Sequence, residues 1–575
     1  MPRLATTSVL LSILAGAAWS QPEDLNILTS GWPGAVFFRQ CEGTLRHSDI
    51  TYGEWEAAFS RLDGIIGKAL DEEIPGTMER CPEAYRRFKA AHPDQLALLH
   101  FNGNSRDPRF DAGELFAGHW IYYNGCGVTR DVPAEADETV IAVEDTDLFR
   151  VNMGRFQDKN EDLAICRLGP GGRPDWSVSE QLQLIAIDHA ASTLTVRRGA
   201  FGTEPQSFPA GESYIAAHAC EGPWGRNANL LWYYNYSLTC PTDAQGRQCA
   251  DVLVEDIAQR FEPGGVLDGL DGLEFDVLHY DFLGPWGIGS RALDVDADGQ
   301  PDQGWLDGRN VYGLGVTEFT RQLRERVGPD LLLLADGHSD RHQRSFGILN
   351  GIESEGWPTL SDPLLREWSG GLNRHLYWRD HAHAPAFSYI NHKFNDASGQ
   401  IDTPPNIDRL VMAASLFTDS VFTYSQTPPR AGQVIGIYDE LRLGTEDQLH
   451  WLGSPLGESR HLTLDSPNLL DDWDPAHFRP GSSGAVHFEM GSIPVAGRDV
   501  VLSATARCTV TDGGPGERSL RVSARPAGDL MRADIADAAV MQLEDGQDQP
   551  LDRATGASLH YMLNAEIEGD ARVGY

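Results

Sequence analysis

The segment Asp268-Gly269-Leu270-Asp271-Gly272-Leu273-Glu274-Phe275-Asp276-Val277-Leu278 sets two carboxylates, Glu274 and Asp276, at alternating positions among apolar residues. Residues two apart share one face of a strand, so both acids point one way while Leu273, Phe275 and Val277 point the other. Paired carboxyl groups suit acid–base work: one gives a proton to a leaving oxygen, and the other attacks carbon or activates water. A second acidic strand end follows at Asn350-Gly351-Ile352-Glu353-Ser354-Glu355, and Asp336 stands directly after the apolar run 331–335. Asp276 is the preferred nucleophile or base and Glu355 the preferred general acid. Glu353 and Asp336 are alternates for the second acid. Glu274, one step deeper, is a candidate to hold an arginine, to tune Asp276 or to belong to a packed interior.

Polar and aromatic residues cluster near the same predicted strand ends. His100, His279, His338, His392 and Lys393 suit hydrogen bonds to sugar hydroxyls, and Trp232, Tyr233, Trp357 and Tyr389 offer faces for stacking. Together they favour a polyol over free phosphate. His338 and His342 have helix-like spacing, but the local Asp-Gly-His-Ser-Asp sequence reads as a loop, and they make no zinc motif. No Gly-x-Ser-x-Gly elbow points to acyl hydrolysis. The first strand–helix turn lacks a glycine-rich phosphate fingerprint, so no organic cofactor is expected.

Acids alternate again in Asp294-Val295-Asp296-Ala297-Asp298-Gly299-Gln300-Pro301-Asp302. That spacing resembles the start of a calcium loop, in which a turn gathers several oxygen ligands. Asp294, Asp296, Asp298 and Asp302 are the ligand candidates, with the Gln300 carbonyl as a further donor. The usual terminal bidentate Glu is missing, and Asp307 is its candidate substitute. Calcium here would brace the loop after the fourth strand; the bland alternative is an acidic turn.

Eight strand candidates position these residues: 35–38, 96–101, 230–234, 273–278, 331–335, 347–352, 386–390 and 421–424. Many are continuous apolar runs, as in parallel strands covered on both faces. Helical spacing at 55–70, 253–261, 316–327 and 407–417 lies between several of them. The pattern predicts an α/β fold, a (β/α)8 TIM barrel, with a doubly wound sheet as the alternative. Short alternating segments between 105 and 222 predict an inserted antiparallel β domain, and those after 460 a β-sandwich that binds carbohydrate or covers the barrel. The expected division is a signal peptide at 1–20, barrel at 21–104, insert at 105–222, remaining barrel at 223–460 and the last domain at 461–575.

Through its barrel-like strand series, Leu273-Glu274-Phe275-Asp276 and Asn350-Gly351-Ile352-Glu353-Ser354-Glu355, the chain resembles the broad superfamily of barrel glycoside hydrolases over roughly residues 30–460, in particular poorly characterised secreted glycosidase-like proteins. The resemblance implies cleavage of glycosidic bonds in an oligo- or polysaccharide, with the two acids drawn from the fourth and sixth strands. The competing expectation is a noncatalytic carbohydrate-binding or cell-surface structural protein.

Arg3, the apolar stretch 9–15, and Ala18 and Ser20 before Gln21 have the form of a secretory signal, predicting a secreted or periplasmic protein without a transmembrane segment. Export would favour disulfides among the eight cysteines, with Cys240 and Cys249 a possible local pair. A net charge of -38 argues against nucleic-acid or anionic-membrane partners. Oligomeric state is not legible.

Overall fold

The computed structural model describes residues 24–38, 51–68, 70, 80–111, 115–134, 137–154, 156–223, 228–280, 291–306, 309–337, 343–355, 368–391, 405–424, 449–450, 452–454 and 456, together with the strands of a sheet between 483 and 568. Eight strands form a closed barrel: β1 (Ala35–Phe38), β2 (Gly64–Gly67), β3 (Leu96–Asn102), β4 (Gly272–Asp276), β5 (Leu332–Asp336), β6 (Gly351–Glu355), β7 (Tyr389–Asn391) and β8 (Val421–Tyr424). All neighbours are parallel, and β8 returns to β1 with Phe422 opposite Ala35.

Helices α1 (Tyr52–Phe59), α2 (Arg80–Ala91), α3 (Cys249–Phe261) and α4 (Val311–Val327) precede β2 to β5 in turn. Helices α5 (Trp368–His381) and α6 (Pro405–Thr418) precede β7 and β8. The described residues between β5 and β6 contain no helix. Local sequence sets the helix starts. Thr51 and Glu54 form a reciprocal capping box on α1. The Asn310 side chain accepts from the Gly313 amide at 2.7 Å to cap α4.

The strand count of eight agrees with the sequence pattern, but two identities change. The run at 230–234 lies outside the barrel: Leu231–Tyr233 pairs antiparallel with Cys220–Glu221 and Ser105–Arg106. The missing strand is β2, inside the predicted helix 55–70. Phe59, Leu62 and Ile66 imitate helical spacing, but α1 ends before Asp63-Gly64, where the chain turns into the barrel. A Cβ at Gly64 would lie 2.1 Å from the Leu96 carbonyl oxygen, and one at Gly272 1.9 Å from that of Leu332. Glycine thus lets β2 and β4 start hard against the next strand.

The residue before each of these glycines reaches back to the preceding strand. Asp63 accepts from the Ala35 amide at 3.0 Å, Asp271 from Ala97 at 2.8 Å and, before Gly351, Asn350 from Leu333 at 2.9 Å. Each also meets a basic side chain: His450 at 2.7 Å, Lys89 at 2.8 Å and Arg324 at 2.6 Å, respectively. These buried groups tie down the N-terminal end of the barrel.

Alternation along the strands separates two cores. Val36, Phe38, Ile66, Leu96, Leu98, Leu332, Leu334, Tyr389 and Val421 pack inside the barrel, whereas Phe37, Ile65, Ala97, Leu99, Leu273, Phe275, Leu333 and Ile352 pack outward into a larger core. The interior changes character along the strands: Ile66 is followed on its face by Lys68, Leu98 by His100 and Asn102, Gly272 by Glu274 and Asp276, Leu334 by Asp336, and Gly351 by Glu353 and Glu355. The lower interior is apolar and the upper interior ionisable.

Between β3 and α3, six antiparallel strands run in the order Cys126–Gly127, Ser213–Ala217, Asp162–Leu168, Pro174–Asp188, Thr193–Arg197 and Glu138–Ala142. The sheet curls until its edges meet, with Val128 bridging Val143 and the Thr129 amide donating to Ala142 at 2.9 Å. Its buried Arg198 clamps Glu180 at 2.7 and 2.6 Å. At the C-terminal end, five strands (Ser483–Val495, Arg498–Thr509, Thr511–Asp512, Arg518–Pro526 and His560–Glu568) form one sheet, and the described residues show no second layer of a sandwich. Among the described residues, no helix is long and apolar enough to cross a membrane. The predicted signal at 1–20 lies outside them.

The disulfide expectation is corrected. Cys126, Cys166, Cys220, Cys240 and Cys249 are buried and form no disulfide. Wide spacing in sequence told nothing about whether the sulfurs meet; here they pack as small apolar groups. Burial pushes Cys126 up to about 11 and Cys240 up to about 12. Cys41 and the side chains of Cys81 and Cys508 lie outside the description.

Candidate active site

Parallel barrels carry reactive groups where the strands end, and here those ends bring carboxylates together. Register sets Asn102 of β3 beside Asp276 of β4, Asp336 of β5 beside Glu353 of β6, and Glu355 of β6 beside Asn391 of β7. One layer deeper, Glu274 lies beside His100. Glu274, Asp336 and Glu353 are 1, 2 and 1 % exposed, and each offers an oxygen within 4.8 Å of the others. Asp276 and Glu355 are partly exposed above them.

Neighbouring donors reach several of these carboxylates. His100 Nε2 stands 3.5 Å from both Glu274 Oε2 and Asp276 Oδ2. The Val277 amide donates to Asp336 Oδ2 at 2.8 Å, and Asn391 Nδ2 donates to Glu353 Oε1 at 3.1 Å. Thr423 in turn donates to Asn391 Oδ1 at 3.2 Å, fixing the amide's orientation. Both oxygens of Glu274 and the Tyr389 hydroxyl lack hydrogen-bond partners, and Glu353 Oε2 is bonded to nothing outside the cluster.

Burial therefore dominates the protonation equilibria. It drives Glu274 well above the usual carboxylate range, with Asp336, Asp276 and Glu355 adding repulsion and Lys68 opposing it. Glu353 is raised in the same way by burial and Asp336. Asp336 is pushed up to about 7, mainly by burial and also by Asp276 and Glu355, against the hydrogen bonds from Glu353 and the Val277 amide. Neutral acids beneath two more exposed ones are thus favoured near neutrality.

Glu221 is a further acid at this site. It comes from the inserted region and accepts from Asn102 Nδ2 at 2.7 Å, Ser105 Oγ at 2.5 Å and Tyr233 OH at 3.0 Å. Burial raises its carboxyl against those hydrogen bonds, and Asp276 raises it further. Neither Glu221 nor the supporting Asn102 and Asn391 carried a sequence signal: Glu221 follows an ordinary apolar segment far along the chain from Asp276.

Of the other candidates, His100 and Tyr389 lie among the buried acids and the rest are dispersed. His100 and Tyr389 are sealed in the barrel interior at 1 and 0 % exposure, and Tyr233 acts on Glu221. Trp232 lies in the inserted region's core, stacked on His218 at 3.5 Å and donating to Asp162 at 2.9 Å. His279 is buried beside Asn104, to which its amide donates at 3.1 Å. His338, Trp357, His392, Lys393 and Asp307 fall outside the described residues.

In the loop after β4, oxygens of Asp294, Asp296 and Asp302 also lie within 4.8 Å of one another. Asp294 accepts from the Asp298 and Gly299 amides at 3.0 and 2.7 Å, while Asp302 accepts from Asp296 and Gly304 at 3.0 and 2.6 Å. Asp296 Oδ1 is buried without a partner. Burial pushes Asp294 up to about 8 and Asp302 up to about 6, with Asp296 adding repulsion at both. This oxygen-only set fits a hard dication. Asp298 instead pairs with Arg173 at 3.1 Å, and the Gln300 amide donates to Asp298 at 2.9 Å.

The architecture is compatible with a barrel-type enzyme, and two carboxylate clusters are able to coordinate a metal ion. The chain matches no protein-family model and no curated protein.

Proposed function

We propose that the protein is a glycoside hydrolase acting on an oligo- or polysaccharide. The observation that carries this reading is the arrangement of Asp276 and Glu355 at the ends of β4 and β6, above a floor of buried acids. Glycosidic cleavage needs two carboxyl groups that reach opposite sides of one acetal carbon. Two strand intervals separate β4 and β6, roughly 10 Å along the barrel wall, leaving side chains space to approach a sugar ring from either side.

Asp276 acts as nucleophile or base, and Glu355 protonates the leaving oxygen. Asp336, Glu353 and Glu274 lie beneath the pair, and without a bound cation burial favours their neutral forms, so that they add little further negative charge. Glu221 sets Asn102 beside Asp276. His279 and the undescribed His338, Trp357, His392 and Lys393 remain candidates for binding sugar hydroxyls and faces. Asp294, Asp296 and Asp302 would hold calcium, whose charge would neutralise the cluster and fix the loop after β4.

Purified protein incubated with diverse glycans should release new reducing ends. Asp276→Asn and Glu355→Gln should each lower the rate by about 10²–10⁴-fold while preserving the far-ultraviolet spectrum. Hydrolysis unaffected by both substitutions would reject these roles. Tight retention of intact glycans by the unmutated protein would favour the binding-protein reading.

A further inference from the structure

We infer that Glu274, Asp336 and Glu353 form a second site for a hard divalent cation, enclosed in the barrel beneath the proposed catalytic pair. The three acids come from the adjacent strands β4, β5 and β6, and their oxygens already lie within 4.8 Å of one another. That spread suits one ion touching all three, since calcium–oxygen contacts of about 2.4 Å place opposed ligands about 4.8 Å apart.

A distinct observation points to a ligand. Glu274 is 1 % exposed and neither of its oxygens is hydrogen-bonded, with His100 Nε2 standing 3.5 Å from Oε2; Glu353, also 1 % exposed, has an Oε2 bonded to nothing outside the cluster. Buried polar atoms are ordinarily satisfied, and these belong to side chains that converge on one another. Outer contacts are nevertheless in place: the Val277 amide on Asp336 and the Asn391 amide on Glu353. Such contacts orient metal-binding carboxylates. Apolar Leu332, Leu334 and Leu98 line the barrel below, so a cation would enter from the side of Asp276 and Glu355. An all-oxygen, acidic donor set selects calcium, magnesium or manganese over softer metals.

Manganese(II) is a suitable probe because its binding can be counted by electron paramagnetic resonance. Full-length protein is stripped with chelator and titrated with manganese alone, using Asp302→Asn to disable the loop cluster. Asp302→Asn should still bind one equivalent; adding Glu274→Gln should weaken that binding by at least about 10-fold. Equal binding by the two variants, or no binding by Asp302→Asn, overturns the inference. Should Glu274→Gln fail to fold, manganese-soaked crystals of the unmutated protein decide the matter. An anomalous peak among the three carboxylates supports the site, and its absence there refutes it. The readout is metal occupancy, so it is independent of any sugar hydrolysis.

Discussion

Asp162→Asn should stabilise the protein at neutral and alkaline pH but hardly at acid pH. Asp162 is 9 % exposed and accepts from Trp232 Nε1 at 2.9 Å. Burial pushes its carboxyl from 3.8 up to about 7; Trp232 opposes the shift, whereas Asp107 and Glu161 reinforce it. The folded state thus holds a proton that the unfolded chain gives up at lower pH, and stability falls as pH rises through this interval. A rise of roughly three units at about 1.36 kcal/mol each sets an upper bound of about 4 kcal/mol. Asp162 borders a 320 Å³ cavity lined also by Lys159, Asn160 and Arg197. The cavity beside the carboxyl lessens its desolvation in the ionised form, and about 2 kcal/mol is the expected gain. Asparagine retains an oxygen for Trp232 and removes the ionisation. Melting curves of both proteins at about pH 8 and about pH 4 test this: the variant's advantage should be large at the first and nearly absent at the second. A less stable variant at alkaline pH, or an equal gain at both, would refute the reasoning.

Three further outcomes are expected. His450 is held above its ordinary value: burial lowers it, but Asp63 and the Gly31 carbonyl outweigh that effect. Its stabilisation should therefore be present below about pH 6.5 and disappear as pH rises through the folded value; His450→Gln should flatten that dependence of the melting temperature. Chelation should lower the melting temperature, added calcium should restore it, and Asp302→Asn should reduce the response. Glu221→Gln should reduce turnover about 10-fold through displaced Asn102, with a smaller change in KM and an unchanged fold; full turnover would reject its positioning role.

The carboxylates were legible because strand periodicity puts side chains on predictable faces. Asp276 and Glu355 end β4 and β6, and the 35–38 and 421–424 runs coincide with β1 and β8. The loop acids likewise converge, since their spacing describes a local turn, although Asp298 was diverted to Arg173. Long-range packing was less legible. The apolar 230–234 segment resembles a buried barrel strand in composition, and only its antiparallel partners distinguish it. In contrast, β2 offers just Gly-Ile-Ile-Gly, whose role depends on close contact with β3. Thiol spacing failed for the same reason: disulfide formation depends on the proximity of sulfurs in space.

The insertion bears on the site through two seams. Its Cys220–Glu221 strand brings Glu221 to Asn102 and Ser105, at the exit from β3. On the exit from β4, Leu293–Asp294 pairs with Tyr122–Tyr123, Trp176 donates to the Ala297 carbonyl at 2.8 Å, and Asn235 donates to Val295 at 2.7 Å. Trp176 is itself held by stacking on Tyr122 at 4.1 Å. The segments leaving β3 and β4, the strand that ends in Asp276, are therefore fastened to the same inserted body. Loops usually supply reactive groups at the expense of precision; these seams restrict both loops by backbone pairing and buried hydrogen bonds. That geometry makes the insertion a structural wall of the carboxylate site, linking its packing directly to the placement of Glu221 and the acidic loop.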